Sequence, residues 1–187
     1  NRTELATEGA EGHCVYDLNA DGHLDIVFAN HRDSVDGYTI DSFIYWGSSE
    51  GYSADNRTGL PTAGAGDSSA QDLDGDGYPD IVFSNMLYSG FGVGGDTELI
   101  GSYIYWGSAQ GYSTDNRTEL PTVWAVHHTV HDLDGDGSLD IVFSNLRHGS
   151  DYTINSYIYW GAPGGGYSPE NRTELSTTGA KENAVFD

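Results

Sequence analysis

The sequence predicts an all-β fold made of β-propeller blades, and three observations carry that prediction. One stretch recurs three times: Asp17-Leu-Asn-Ala-Asp21-Gly-His-Leu-Asp25, then Asp72-Leu-Asp-Gly-Asp76-Gly-Tyr-Pro-Asp80, then Asp132-Leu-Asp-Gly-Asp136-Gly-Ser-Leu-Asp140. Each copy runs directly into a short apolar Ile-Val-Phe strand at 26–28, 81–83 and 141–143. The phrase Asn-Arg-Thr opens at Asn1, Asn56, Asn116 and Asn171, with spacings of 55, 60 and 55 that the first loop aspartates at 17, 72, 132 and 187 reproduce. Self-similarity at this period marks a repeat protein, so fold and function are read per unit.

Each unit reads as four short strands. Strand A leads into the Asp loop (14–16, 69–71, 129–131), and strand B is Asp-Ile-Val-Phe. Strand C is Ser-Tyr/Phe-Ile-Tyr-Trp-Gly (42–47, 102–107, 156–161), and strand D begins at Arg-Thr. B and C are apolar at successive positions, as expected of strands covered on both faces. Four-stranded units stacked side by side are the blades of a propeller. The units run over 8–62, 63–122 and 123–177, with 178–187 opening a fourth, the whole forming a single repeat domain. Residues 1–7 then read as a D strand without its A, B and C, and Asp187 as the first residue of a fourth loop. Three complete repeats plus partial strands at both ends do not close a ring of four or more blades. The sequence therefore reads as part of a larger propeller, and the lack of an initiator Met or signal peptide reads as a mature form or an excerpt.

Composition narrows the function classes. The formal charge is -22, from 29 acidic and 7 basic residues, and the only lysine is Lys181. Phosphate binding needs clustered Lys and Arg, so nucleic acid is excluded as a partner. No apolar run reaches the length of a membrane span. Cys14 is alone, so no disulfide framework exists within these residues, and it reads as a small buried side chain. The 26 glycines and 13 tyrosines accompany a hydrophobic fraction of 37%, which points to short strands and tight turns, not to disorder.

Oxygen donors at loop positions 1, 3, 5 and 9, with Gly at 6, suit one Ca²⁺ per complete repeat, three in all. Asp-Gly pairs also form turns without any metal, but the second and third loops each crowd four carboxylates into nine residues, which repel without a cation. An EF-hand requires Glu at position 12 and flanking helices; here position 9 is Asp and a strand follows. The metal reads as structural, because nothing in the repeat places an acid or base beside an open coordination site. Millimolar calcium outside cells and the weak affinity of extracellular calcium modules favour a secreted or cell-surface protein.

The repeated Asp-Leu-Asp-Gly-Asp-Gly-x-x-Asp-Ile-Val-Phe resembles the FG-GAP/VCBS repeat family, the calcium-bearing blades of integrin α-like heads and of many secreted bacterial proteins. Gly161-Ala162-Pro163 spells the GAP element, where the other units carry Gly-Ser. The resemblance covers essentially the whole chain and implies a propeller of about seven blades with calcium in each A–B loop. It implies the ligand sets Asp72, Asp74, Asp76, Asp80 with the Tyr78 carbonyl, and Asp132, Asp134, Asp136, Asp140 with the Ser138 carbonyl. The first loop keeps Asp17, Asp21, Asp25 and the His23 carbonyl but has Asn19 for an Asp, and fewer carboxylates predict weaker binding. No particular ligand follows, because the family includes adhesion receptors, lectins and non-catalytic enzyme appendages.

Antiparallel strands put the A–B loops at one end of each blade and the B–C and D–A connections at the other. All but one residue of the length variation falls in the B–C connections, 31–41, 86–101 and 146–155. They are rich in Tyr, Ser, Gly and Asp, including Asp36, Tyr38, Asp41, Tyr88, Phe91, Asp96, His148, Asp151 and Tyr152. That composition suits an adaptable recognition surface, although loops also drift. Trp124 stands where the other units have Gly9, Gly64 and Gly179, on the D–A connection at the same end. It can stack on a sugar or anchor a protein partner, or simply plug a local gap. Trp46, Trp106 and Trp160 recur in register and read as core. His127, His128 and His131 lack a further soft ligand and read as polar filling of a central channel in preference to a zinc site. Each Asn-Arg-Thr is also an N-glycosylation sequon, while Asn at that turn and Arg-Thr on the edge strand explain it equally well.

The leading functional expectation is a non-catalytic calcium-stabilised propeller that binds a protein or glycan partner, in the manner of an adhesion module. The alternatives are a structural repeat assembling with copies of itself into a fibre or envelope layer, and an accessory domain of a polysaccharide-active enzyme.

Overall fold

Strands form where β-branched and aromatic residues run together and stop at the Gly-, Asp- and Asn-rich turns between them. The computed structural model describes residues 3–32, 39–86, 88–89 and 98–185. The first sheet consists of β1 (Ala10–Tyr16), β2 (Asp25–Asn30), β3 (Thr39–Tyr45) and β4 (Arg57–Ala63). In the second unit, β5 (Ala65–Gln71) and β6 (Asp80–Asn85) are followed by a small ribbon, β7 (Tyr88–Ser89) and β8 (Glu98–Leu99). Then β9 (Ser102–Tyr105) and β10 (Arg117–Leu120) complete that sheet. The third sheet is β11 (Ala125–His131), β12 (Asp140–Asn145), β13 (Asn155–Tyr159) and β14 (Arg172–Ser176). All three sheets are antiparallel meanders in the order A-B-C-D, as the repeat predicts. No helix among the described residues is long and apolar enough to cross a membrane.

Neighbouring sheets meet through their A strands, β1 against β5 and β5 against β11. Each A strand carries a register shift near its start, between Ala10 and Gly12, Ala65 and Asp67, and Ala125 and His127. Two glycines permit the approach there. A Cβ on Gly12 would lie 2.6 Å from the Asp67 Cα, and one on Gly66 would lie 3.0 Å from the Val126 carbonyl. Tyrosines fasten the blades farther out. The hydroxyls of Tyr45, Tyr105 and Tyr159 donate to the carbonyls of Ala6, Pro61 and Pro121 of the preceding segment, each at 2.5 Å. They also accept from Arg57, Arg117 and Arg172, whose guanidinium groups lie over Phe43, Tyr103 and Tyr157. Beneath each buried tyrosine, Phe28, Phe83 or Phe143 packs edge to face.

Both ends depart from expectation. Residues 3–7 form no strand, because the C strand that would pair with them is not among residues 1–187, yet they occupy the D position. Ala6 accepts from Tyr45, and the Glu8 amide donates to Asn30, as the Ala63 and Val123 amides do to Asn85 and Asn145. Residues 178–185 likewise form no A strand, and Asp187 lies outside the described residues. Exposure follows from the same cause. Leu60 and Leu120 are 2% and 0% exposed, whereas their counterpart Leu175 is 39% exposed, with no further sheet against it among the described residues. Strand β6, flanked on both sides, is buried throughout, while β2 and β12 are buried less completely.

His128 sits buried at the second junction, with Nε2 2.7 Å from the Ser69 Oγ and Nδ1 2.8 Å from the Ser84 Oγ. Burial, and then the neighbouring His127, push its pKa down to about 3; Asp67 is the carboxylate facing it, 3.8 Å away. The folded state thus refuses a proton that the unfolded chain accepts below about pH 6.5. Stability held above that pH is lost as acidity increases toward 3, by up to about 1.4 kcal/mol per pH unit. Asn183 occupies the same position one unit on and donates to the Ser144 Oγ at 3.0 Å, so Asn is a fitting replacement. His128→Asn should flatten the fall in melting temperature between pH 6.5 and 5; an unchanged acid limb in thermal melts would contradict this assignment.

Candidate metal loops and the opposite face

The three A–B loops are built alike, from backbone amides turned onto carboxylates. In the second loop, Asp72 Oδ1 accepts from the Gly75 and Asp76 amides and its Oδ2 from Gly77, while Asp74 Oδ1 accepts from Asp76. The third loop repeats this with Asp132 and Asp134 accepting from Gly135, Asp136 and Gly137. Asp76 and Asp136 in turn accept from the Tyr78 and Ser138 amides. Positive φ at Gly75 and Gly135, 78° and 77°, makes the turn. The first loop puts Ala20 there at φ 57°, a conformation that disfavours any side chain.

Carboxylates converge in two of the loops. Asp72, Asp74 and Asp80 can each offer an oxygen within 4.8 Å of the others, and so can Asp132, Asp134 and Asp136. The first loop forms no such group among the described residues: Asp17 accepts from Asp21 and Gly22, Asn19 bonds Asp21 through both ends of its amide, and the His23 amide reaches Asp21. A donor set composed wholly of carboxylate and carbonyl oxygen fits a hard cation such as Ca²⁺ and does not fit zinc or copper. The three histidines do not come together with acids into any comparable group among the described residues. His131 is exposed with Nδ1 near the Asp132 carbonyl, and His127 lies 3.5 Å from Asp67.

The ninth-position aspartates have a second role that the motif does not advertise. Asp25, Asp80 and Asp140 are buried, and each carboxylate accepts two backbone amides. One comes from loop position 2 (Leu18, Leu73, Leu133), and the other from the glycine ending strand C (Gly47, Gly107, Gly161). Burial raises the Asp80 pKa to about 6 against the pull of those two amides, with Asp74 and Asp76 adding to the rise. A cation beside this group would offset its desolvation.

At the opposite end, Trp124 holds φ 48°, where its glycine counterparts have 57°, 60° and 61°. Its ring lies under the Arg147 guanidinium, 4.2 Å from the centroid, and its carbonyl accepts from Leu146. Arg147 carried no sequence signal, since a contact across 23 residues of β-hairpin follows no period. Tyr152 is exposed and rests against the next D–A turn, its carbonyl accepting from Gly179. Arg147, which covers Trp124, and Tyr152 thus both belong to one connection, 146–155. Asp151 closes a tight turn with His148 and accepts from Thr153. Tyr38, Phe91, Asp36 and Asp96 lie outside the described residues, and Tyr88 enters only through its backbone. Trp46, Trp106 and Trp160 are partly buried, each donating from Nε1 to Thr58, Thr118 or Thr173. Asn56, Asn116 and Asn171 are exposed, but the amide nitrogen of each donates to a tryptophan carbonyl and closes the C–D turn. Asn1 lies outside the described residues.

Four-stranded units that each carry an oxygen-lined loop on the first hairpin define a β-propeller-type repeat module. Residues 17–83, from the first Asp loop through the second, match the family model of the FG-GAP-like repeat. No curated protein matches the chain.

Removing the two roles of the Asp loops should have separable effects. Asp80→Ala leaves the Leu73 and Gly107 amides buried without acceptors, costing about 1–3 kcal/mol each, so it should lower the melting temperature even in excess chelator. Asp76→Ala should be nearly silent in chelator. Equal losses for both variants under chelation, measured by calorimetry, would contradict the distinction.

Proposed function

We propose that this chain is a secreted or cell-surface module, non-catalytic and stabilised by calcium in its A–B loops, that binds a protein or glycan partner through the opposite end. The observation that carries the reading is Trp124. Holding a non-glycine residue in the left-handed region costs about 1–3 kcal/mol and persists where function asks for it, and every equivalent turn uses Gly. A strained, half-buried aromatic beneath Arg147 at the end of greatest loop diversity is a platform for a sugar ring or a partner's side chain. Calcium supports that surface indirectly: it fastens the A–B hairpin of each blade, and binding energy becomes folding energy.

A second reading, assembly of repeats into an extracellular array, is favoured by the exposed Leu175 and by Val15, 47% exposed, at the two outer blade faces. Such faces are association surfaces if nothing else covers them.

Chelation should lower the melting temperature, and Asp76→Ala or Asp136→Ala should cost more than Asn19→Ala in the presence of calcium. An unchanged melt on chelation removes the calcium reading. On a glycan array, Trp124→Gly should abolish binding while leaving the melting temperature equal or higher, because the strain is released. Binding that survives this substitution would place recognition elsewhere, and an array on which the wild type binds no sugar would eliminate the glycan partner.

A further inference from the structure

The metal loops are not confined to their own blades. A cavity of ≈ 130 Å³ lies at the first junction, with Leu18 and Asn19 on one side and Tyr78, Ser108, Ala109 and Tyr112 on the other. A cavity of the same size, ≈ 130 Å³, recurs at the second junction, between Leu73 and Asp74 on one side and Ser138, Ala162, Pro163 and Gly164 on the other. In both, the third loop position, Asn19 or Asp74, faces the C–D turn of the following unit. The second junction is the tighter. A Cβ placed on Gly165 would lie 2.6 Å from the Asp74 Cβ and 2.9 Å from the Trp106 ring. Trp106 stacks on Tyr167 across the same seam with centroids 6.3 Å apart, and the Tyr167 hydroxyl donates to the Leu139 carbonyl at 2.6 Å. The turn itself is closed by the Gly165 and Gly166 amides on the Ala162 carbonyl.

Asp74 is thus confined on two sides. Its Oδ1 accepts from the Asp76 amide, 3.0 Å away, and its Cβ lies where only a glycine at position 165 of the next blade leaves it room. We infer that Gly165 is a positioning residue for the second Asp loop, so that cation occupancy of that loop and docking of the third unit are coupled. The inference rests on the calcium reading above. Displacing Asp74 removes one of the three converging carboxylates without altering any residue of the loop. The coupling is reciprocal by linkage: whatever the turn contributes to cation affinity, the cation returns to the junction. The third loop has the same four aspartates and serves as an internal reference, because the atoms nearest a Cβ on Gly165 belong to Asp74 and Trp106 and not to that loop.

A matched pair of substitutions tests this. Gly164 and Gly165 both have positive φ, 81° and 76°, but a Cβ on Gly164 would meet nothing within 4 Å. Gly164→Ala therefore carries the backbone strain alone, and Gly165→Ala carries strain plus collision with Asp74 and the Trp106 ring. Calcium titration of the intact chain, followed through the amide resonances of Gly77 and Gly137 by NMR, reads the second and third loops separately. Gly165→Ala should weaken calcium at Gly77 about ten-fold or more relative to Gly137, within the range of ordinary coupling energies. Gly164→Ala should leave the ratio at its wild-type value. An unchanged ratio in Gly165→Ala, or the same loss in both variants, overturns the inference. Failure of Gly77 and Gly137 to respond to calcium in the wild type overturns the calcium reading itself, which separates the two.

Discussion

In each blade a buried aspartate at the ninth loop position receives amides from two directions, one from its own loop and one from the end of strand C. That pair of charge-assisted hydrogen bonds joins the first hairpin of the sheet to the third strand, and the rest of the unit is organised around it. It fixes where the Asp loop sits, where Trp46, Trp106 and Trp160 end their strands, and where the C–D turn begins its run toward the neighbouring blade. A carboxylate so buried is stable only while both amides are supplied, which couples loop geometry to strand pairing. The loop aspartates at positions 1, 3 and 5 are more exposed and spend their oxygens on local turn amides. The architectural role thus belongs to the ninth position, and Asp80 also joins Asp72 and Asp74 in the converging carboxylate group.

The blades adhere through a small vocabulary repeated at each seam. A tyrosine hydroxyl reaches back to the preceding segment, an asparagine side chain accepts the amide that opens the next blade, and glycine at a bulge lets the A strands close in. Variation is tolerated where the seam leaves room. His128 and Asn183 use the same position to reach Ser84 and Ser144, so a buried polar group there is satisfied by two chemistries. The two ends of each blade are under different physical constraints as a result. The Asp-loop end is committed to hydrogen bonds and to the seam, while the B–C end is free to vary in length, and there Trp124 accepts a backbone cost that no other unit incurs.

Most of the fold was legible because its signals are local and repeated. Ile-Val-Phe after each loop, Ser-Tyr/Phe-Ile-Tyr before Trp46, Trp106 and Trp160, and the Arg-Thr runs at 57, 117 and 172 all formed strands in the predicted order. The terminal segments 3–7 and 178–185 carried the same local signals and formed none, because a strand requires a ladder partner and propensity does not supply one. The candidate site divides in the same way. Oxygen-rich loops were evident from spacing, but the strand-C amide on Asp80, the close approach of Gly165 to Asp74 and the stacking of Arg147 on Trp124 join residues 23 to 91 positions apart.

By itself, then, the sequence determined the unit: its four strands, its oxygen-lined loop, its negative charge and the end at which diversity collects. Hydrophobic pattern, turn residues and repeat period act within a single blade, and a single blade is what they specify. The tertiary structure decided what happens between blades: which aspartate oxygens are occupied by amides, which loop aspartate lies against its neighbour, and which tryptophan is strained. Those outcomes depend on contacts made only when separate units pack, and no periodicity in the chain encodes the distance between them.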